Sequence, residues 1–397
     1  MSSVWKNPSV LRLVCAQAMA GANAAVVYAT GAVIGHTLSP DPAYATLPIS
    51  IFVIGMACST LITGYLLRRH GRIRSFMFGN ACGVVVGLLA ACALLVHSFA
   101  LFCFAMLFGG AYAAVVLTFR FAATECVDPP QRAKALSAVM AGGVFAGVLG
   151  PQLVSLTMQW WPDVDFAATY LAAAVVAVLS ALLLSKVRFA EQHNAPTSTY
   201  GRSLGELLRQ PRLLVAMLCG LVSYTVMNFL MTSAPLAMTL HGMHQQDANL
   251  GIQWHIVSMY APSFFTGSLI IRFGAARIVL LGLALLVSSA AIGLMEPTLI
   301  HFWTLLVLLG VGWNFGFLGA SALILSCHRP EEKARVQSLN DFVVFAAVAV
   351  GSLASGNLLT TYGWQTVCLA IIAPILIAAL IILLHMFTQR TPQVAES

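Results

Sequence analysis

Long apolar runs alternate with short polar breaks along this chain, and that pattern sets its architecture. A helix that crosses a bilayer needs about 20 consecutive, mostly apolar residues. Cutting the chain at charged or Pro/Gly/Asn clusters leaves twelve such runs, at 10–35, 43–67, 75–96, 100–123, 135–160, 167–188, 212–240, 249–271, 276–295, 300–327, 337–360 and 364–387. The pattern predicts an all-α membrane protein with twelve transmembrane helices. One long polar connection, 189–211, contains AEQHNAPTSTYGRSLGELLRQ and separates a six-helix bundle at 1–188 from a second at 212–397. Lys6 and Arg12 precede or open the first run, which continues to Gly35. That is too long for the core of a signal peptide, so it is read as a retained span.

Composition narrows the class. Apolar residues make up 59% of the 397 positions and charged residues 8%, against roughly 25% charged in a soluble domain. A soluble enzyme of this length could not cover its surface, and a disordered chain would not be so apolar. No nucleophile, base and orienting group come together at depth, so an enzyme is not expected. The net charge of +7 comes from short basic clusters between runs. They lack the interleaved aromatics that stack bases, so nucleic acid is not an expected partner; the lipid bilayer is. Nine cysteines are scattered without a CxxC pair, which argues against a disulfide framework or a zinc site.

Charge also sets an orientation. With the N-terminus in the cytoplasm, every Lys and Arg falls in a cytoplasmic segment, apart from Arg120 near the inner end of the fourth run. The outer loops carry Asp41, Asp163, Asp165, Asp247 and Glu296 instead. This follows the positive-inside rule and predicts a multi-pass protein of the cytoplasmic membrane with both termini inside.

The two groups of six repeat. GYLLRRHGRIR at 64–74 aligns with GSLIIRFGAAR at 267–277, matching Gly64, Arg69, Gly71 and Arg74 to Gly267, Arg272, Gly274 and Arg277 at one offset of 203 residues. RAKA at 132–135 echoes KARV at 333–336. Parallel six-helix pseudo-repeats are a transporter architecture. The 64–74 segment resembles the signature between spans two and three of the major facilitator superfamily, except that Arg68 stands where that family usually has Asp. GVFAGVLGP at 143–151 resembles the Gly-rich, Pro-kinked motif common in antiporters, though close helix packing by small residues is the better account of it. The resemblance implies alternating access, with Arg69, Arg72, Arg272 and Arg277 stabilising the state closed to the cytoplasm.

Soft ligands are unevenly placed. Six of the 15 methionines lie between 217 and 259, where an even spread would put fewer than two. Met227 and Met231 are four apart on span seven, and His255 and Met259 are four apart on span eight, so each pair shares a helix face. Counted from the helix starts at about 1.5 Å per residue, Met227 and Met259 fall near mid-membrane, with Met231 and His255 somewhat above them toward the outside. Thioether and imidazole are neutral, and thioether is soft, a combination that selects Cu(I). No carboxylate sits at that depth. Spacing alone does not select a metal, since such pairs are no commoner here than chance allows. The joint MxxxM and HxxxM pattern, with 28 residues from Met227 to His255, resembles the signature of the CcoA-like copper importers. These supply copper for assembly of cbb3-type cytochrome c oxidase.

That resemblance implies that Met227, Met231, His255 and Met259 hold copper as transported substrate, with no resident cofactor and a cytoplasmic copper acceptor as recipient. Around them, His241, Met243 and His244 in an outer loop are candidates to collect the ion, and Met238 to pass it inward. Cys15, Met19 and Cys219 are candidates on the exit side, though helix packing accounts for these three as well. The rival reading is a drug or metabolite efflux transporter, which the Gly-Pro motif favours and the lack of a midplane acid disfavours. A non-transporting membrane receptor is the third.

Overall fold

The structure, a computed structural model, describes residues 6–128, 131–161, 163–189, 202–329 and 332–388, and among these every regular element is helical. Twelve spans follow in order. They are α1 (Pro8–Leu38), α2 (Pro42–Leu67), α3 (Arg69–Leu95), α4 (Phe99–Thr124), α5 (Ala138–Thr157) and α6 (Ala167–Leu184). Then come α7 (Pro211–Leu240), the bent α8 (Gln245–Tyr260 with Ser263–Phe273), α9 (Ala275–Gly293), α10 (Leu299–Leu325), α11 (Leu339–Tyr362) and α12 (Trp364–Thr388). Most of the expected 189–211 connection, 190–201, lies outside the described residues.

Local chemistry explains where the spans begin and bend. Asn7 caps α1, its side-chain oxygen accepting from the Ser9 and Val10 amides at 2.9 and 3.3 Å, with Pro8 opening the helix. Within Leu47–Leu95 the chain kinks at Gly71, which leaves helical geometry at φ 76°. Its repeat counterpart Gly274 sits at φ 85° between α8 and α9. Glycine alone adopts that conformation without a Cβ penalty, so the 203-residue repeat preserves one turn in both halves. The hydropathy run at 249–271 predicts one straight span, but α8 bends by 42°. Pro262 is the cause: it has no amide for the helix ladder, and its ring crowds the preceding turn.

The first six spans pack among themselves, as do the last six, and the two sets meet along α1–α7, α1–α8, α2–α11 and α5–α8. Glycines permit the α5–α8 approach. A Cβ on Gly147 would fall 2.8 Å from Ile256, and one on Gly143 would fall 2.9 Å from the Tyr260 ring. On the other side of α5, a Cβ on Gly150 would meet Ala25 of α1 at 2.5 Å. The Gly-rich motif at 143–151 is therefore a packing device between three helices.

Hydrogen bonds between the two sets gather on the face away from the basic clusters. Gln245 of α8 donates to the Ala29 carbonyl of α1 (3.2 Å), and Gln152 of α5 donates to Gln253 of α8 (2.8 Å). Asn249 donates to Ser155 at 3.1 Å, and Thr46 at the start of α2 donates to the Ser352 carbonyl of α11 at 2.9 Å. A polar chain closes the roof: Tyr28 donates to Asn228 (2.8 Å), Asn228 to Thr232 (3.2 Å), and the Thr232 and Ser352 hydroxyls lie 3.2 Å apart. On the basic face each ion pair stays within one set. Arg72 pairs with Glu125, and Arg202 with Glu332. Among the described residues no hydrogen bond or ion pair joins the two sets there, so this conformation is closed on the face opposite the basic clusters.

Candidate functional site

Beneath the roof lies a cavity of about 820 Å³, counting its open side, with walls from α1, α2, α4, α5, α7 and α8. Met227 and Met231 of α7 and Met259 of α8 all line it. They are 2%, 4% and 6% exposed. These three of the four expected side chains share one cavity wall. A fourth thioether, Met56 of α2, lines the same cavity and comes from the other set of spans. Sequence reasoning missed it because Met56 has no soft partner one turn away, and pairing within a helix was the signal used.

His255 is placed differently. It is fully buried but is not among the side chains lining the cavity. Its Nδ1 lies 2.7 Å from the Leu306 carbonyl of α10, and its Nε2 is buried with no partner. The close approach of α10 makes this contact, since Gly310 has room for no Cβ: one would sit 2.6 Å from the His255 carbonyl. A carbonyl acceptor at Nδ1 assigns the proton to that nitrogen and leaves a lone pair on Nε2. Ligating histidines are held by such a second bond.

None of the outlying candidates lines the cavity. Met238 is buried in the core, and Met243 packs partly against it. His241 closes the end of α7, its Nδ1 2.7 Å from the Ala237 carbonyl and its ring 6.1 Å from that of Phe302. His244 is exposed at the start of α8, where its amide donates to Asp247. Cys219 is buried within the core. Cys15 is exposed and Met19 half-buried; by helical geometry they point about 160° from Gln17, which does line the cavity.

The rest of the wall is aromatic and neutral. Tyr28, Phe52, Tyr224 and Tyr260 line it, with Gln17 and Asn228 as the amides and, among the described residues, no carboxylate, Lys, Arg or His. Tyr224 is held by edge contacts to Trp313, Phe317 and Phe345 at 5.6, 5.1 and 5.7 Å. Among the described residues no three His, Cys, Asp or Glu side chains gather as a metal cluster. Any soft ion bound here would rest on thioethers.

The geometry can be set beside known proteins. The chain is 42% identical over 361 residues to the riboflavin transporter RfnT of Brucella anthropi, covering 90% of this chain and 91% of that one. It is 27% identical over 251 residues to the multidrug resistance protein MdtL of Klebsiella pneumoniae, covering 62% of each. A bacterial homologue of the human lysosomal transporter Spinster, inward-facing and unoccupied, has the same fold at TM-score 0.73 and 15% identity, covering 99% and 100% of the two chains. The nucleoside transporter NupG aligns at TM-score 0.76 and 12% identity, covering 95% and 99%. The family model of the Major Facilitator Superfamily matches residues 13–261 and 254–397. Twelve helices in two repeated sets around a closed-roof cavity thus have their kin, and the chain belongs to the Major Facilitator Superfamily.

Proposed function

We propose that this transporter carries copper inward across the cytoplasmic membrane by alternating access, binding it as Cu(I) through Met227, Met231 and Met259 with Met56. One observation carries the reading: thioethers from both sets of spans line one cavity whose wall holds no charged side chain among the described residues. Soft neutral sulfur favours Cu(I) over harder divalent ions, and a site without thiolate can release its cargo. His255 stands one turn from Met259 with an unpartnered Nε2, and a rotation of that turn would add an imidazole to the set. The bundles at 1–188 and 212–397 would rock about the cavity, joined by 189–211, with both termini in the cytoplasm. A cytoplasmic acceptor would then take the ion toward cbb3-type cytochrome c oxidase.

A second reading has its own support. Four aromatic rings on the wall suit a flat heterocycle, and RfnT, at 42% identity, is named for riboflavin. Uptake of labelled copper and of labelled riboflavin by cells carrying the wild type and Met227→Leu separates the two. Copper import predicts copper accumulation that Met227→Leu abolishes, with riboflavin uptake at background. Riboflavin uptake that survives Met227→Leu but not Tyr224→Ala, with cell copper unchanged, would establish the second reading.

A further inference from the structure

A second cavity opens at the basic face between α7, α9 and α12, with about 700 Å³ of empty space counting its open side. Arg212, Arg277 and His385 line it over an apolar floor that includes Phe273, Ile382 and Met386. Arg212 stands in the first turn of α7 and Arg277 in the first turn of α9, and neither helix has a side-chain cap. A helix N-terminus is already electropositive, so a cation there is unfavourable without an anion. Among the described residues no carboxylate lies within 4.0 Å of either arginine.

In the first half an arginine at this turn has a protein anion: Arg72, next to Gly71, pairs with Glu125, 2.9 Å from its Nε. At the 203-residue offset Ala275 stands at the position of Arg72 and His328 at that of Glu125, so that pair has no counterpart. The buried carboxylate nearby, Glu332, is taken by Arg202 and by the Arg329 amide. Arg212 and Arg277 are thus left without a carboxylate partner among the described residues. Exposed apolar side chains lie on the same elements: Leu214, Phe273 and Leu384.

We infer that this pocket binds the phosphate of an anionic phospholipid from the leaflet at the basic face, with the acyl chains on the apolar floor. Basic pockets between membrane helices recognise anionic headgroups in this way. A free phosphate would meet the two arginines but leave the floor wet; a lipid covers both.

The test is native mass spectrometry of the full-length transporter, exchanged into phosphatidylglycerol or phosphatidylcholine and then stripped with detergent. Wild type retains one phosphatidylglycerol per chain in preference to phosphatidylcholine. Arg212→Gln with Arg277→Gln weakens retention roughly thirtyfold, about fivefold per arginine. Arg212→Lys with Arg277→Lys holds the lipid and shows that the pocket tolerates substitution. Arg272→Gln, outside the pocket, behaves as wild type. Equal retention of the two lipids by wild type, or unchanged retention in the double Gln variant, overturns the inference. So does displacement of the lipid by millimolar inorganic phosphate alone.

Discussion

Tyr28→Phe probes the roof with the smallest possible change, removing one hydroxyl. That hydroxyl donates to Asn228 at 2.8 Å, from α1 to α7, and so joins the two sets of spans in this conformation. In the opposite conformation the roof must part, and both groups meet water. The bond therefore favours the roof-closed state alone. A net hydrogen bond is worth about 1 kcal/mol, and interhelical polar pairs in membranes average about 0.6 kcal/mol. The ratio of roof-closed to roof-open molecules should thus fall about three- to fivefold. If the Asn228 oxygen stays dry and unpaired, the full desolvation penalty of about 1–3 kcal/mol applies instead.

Spin labels at Arg74 and Arg272, both exposed on the basic face, report the population by their distance distribution. The background should lack the exposed Cys15, Cys58 and Cys92 and the half-exposed Cys126. Tyr28→Phe should enlarge the short-distance population, in which the basic face is shut. Asn228→Ala should do the same, and the double variant should add little, because both remove one bond. Distributions identical to wild type in both single variants would refute the idea that this polar chain holds the roof.

Other outcomes follow from particular contacts. Met56→Leu conserves volume and should leave folding and expression intact while lowering copper affinity at least several-fold in equilibrium binding; an unchanged affinity removes Met56 from the site. Gly310→Ala would place a Cβ 2.1 Å from Ser258 and 2.6 Å from the His255 carbonyl, so it should destabilise the fold by about 1–3 kcal/mol, seen as a lower melting temperature in detergent. Glu332 is held far below the ordinary carboxylate range, chiefly by the Arg202 guanidinium and then by the Arg329 amide. A lowered folded-state pKa gives stability that is present above the unfolded value and lost only as pH falls through the folded one. Hydrogen exchange in the short helix Leu204–Leu208, corrected for intrinsic rate, should therefore stay protected from pH 7 to pH 5 in wild type, and Glu332→Gln should lose that protection throughout.

The fold could be read from sequence because its causes are local. A bilayer demands long apolar runs, and each run marks itself without help from the rest of the chain. The repeat survived as spaced glycines and arginines because Gly71 and Gly274 need the same backbone conformation. The bend in α8 did not appear in the hydropathy profile, since Pro262 is nearly neutral on such a scale yet breaks the ladder. The kink at Gly71, by contrast, falls in the charged segment that hydropathy reads as the gap between two spans.

The site was only partly legible, for a physical reason. Met227, Met231 and Met259 could be placed on faces by helical spacing. Which face looks inward is decided by neighbouring helices. Met56 joins the cavity through the packing of α2, and His255 is drawn to the Leu306 carbonyl 51 residues away. Neither fact is a property of one helix. Cys15 and Met19 illustrate the converse: they have the same i, i+4 spacing as the lining pair Met227 and Met231, but α1 turns a different face to the cavity.

The most direct test of the central claim is the stoichiometry and ligation of copper on the purified transporter, by X-ray absorption under reducing conditions. The account predicts one Cu(I) per chain with a sulfur-dominated first shell, weakened in turn by Met56→Leu, Met227→Leu, Met231→Leu and Met259→Leu. A transporter that takes up no Cu(I), or one whose bound copper shows no sulfur neighbour and is indifferent to all four substitutions, would contradict it.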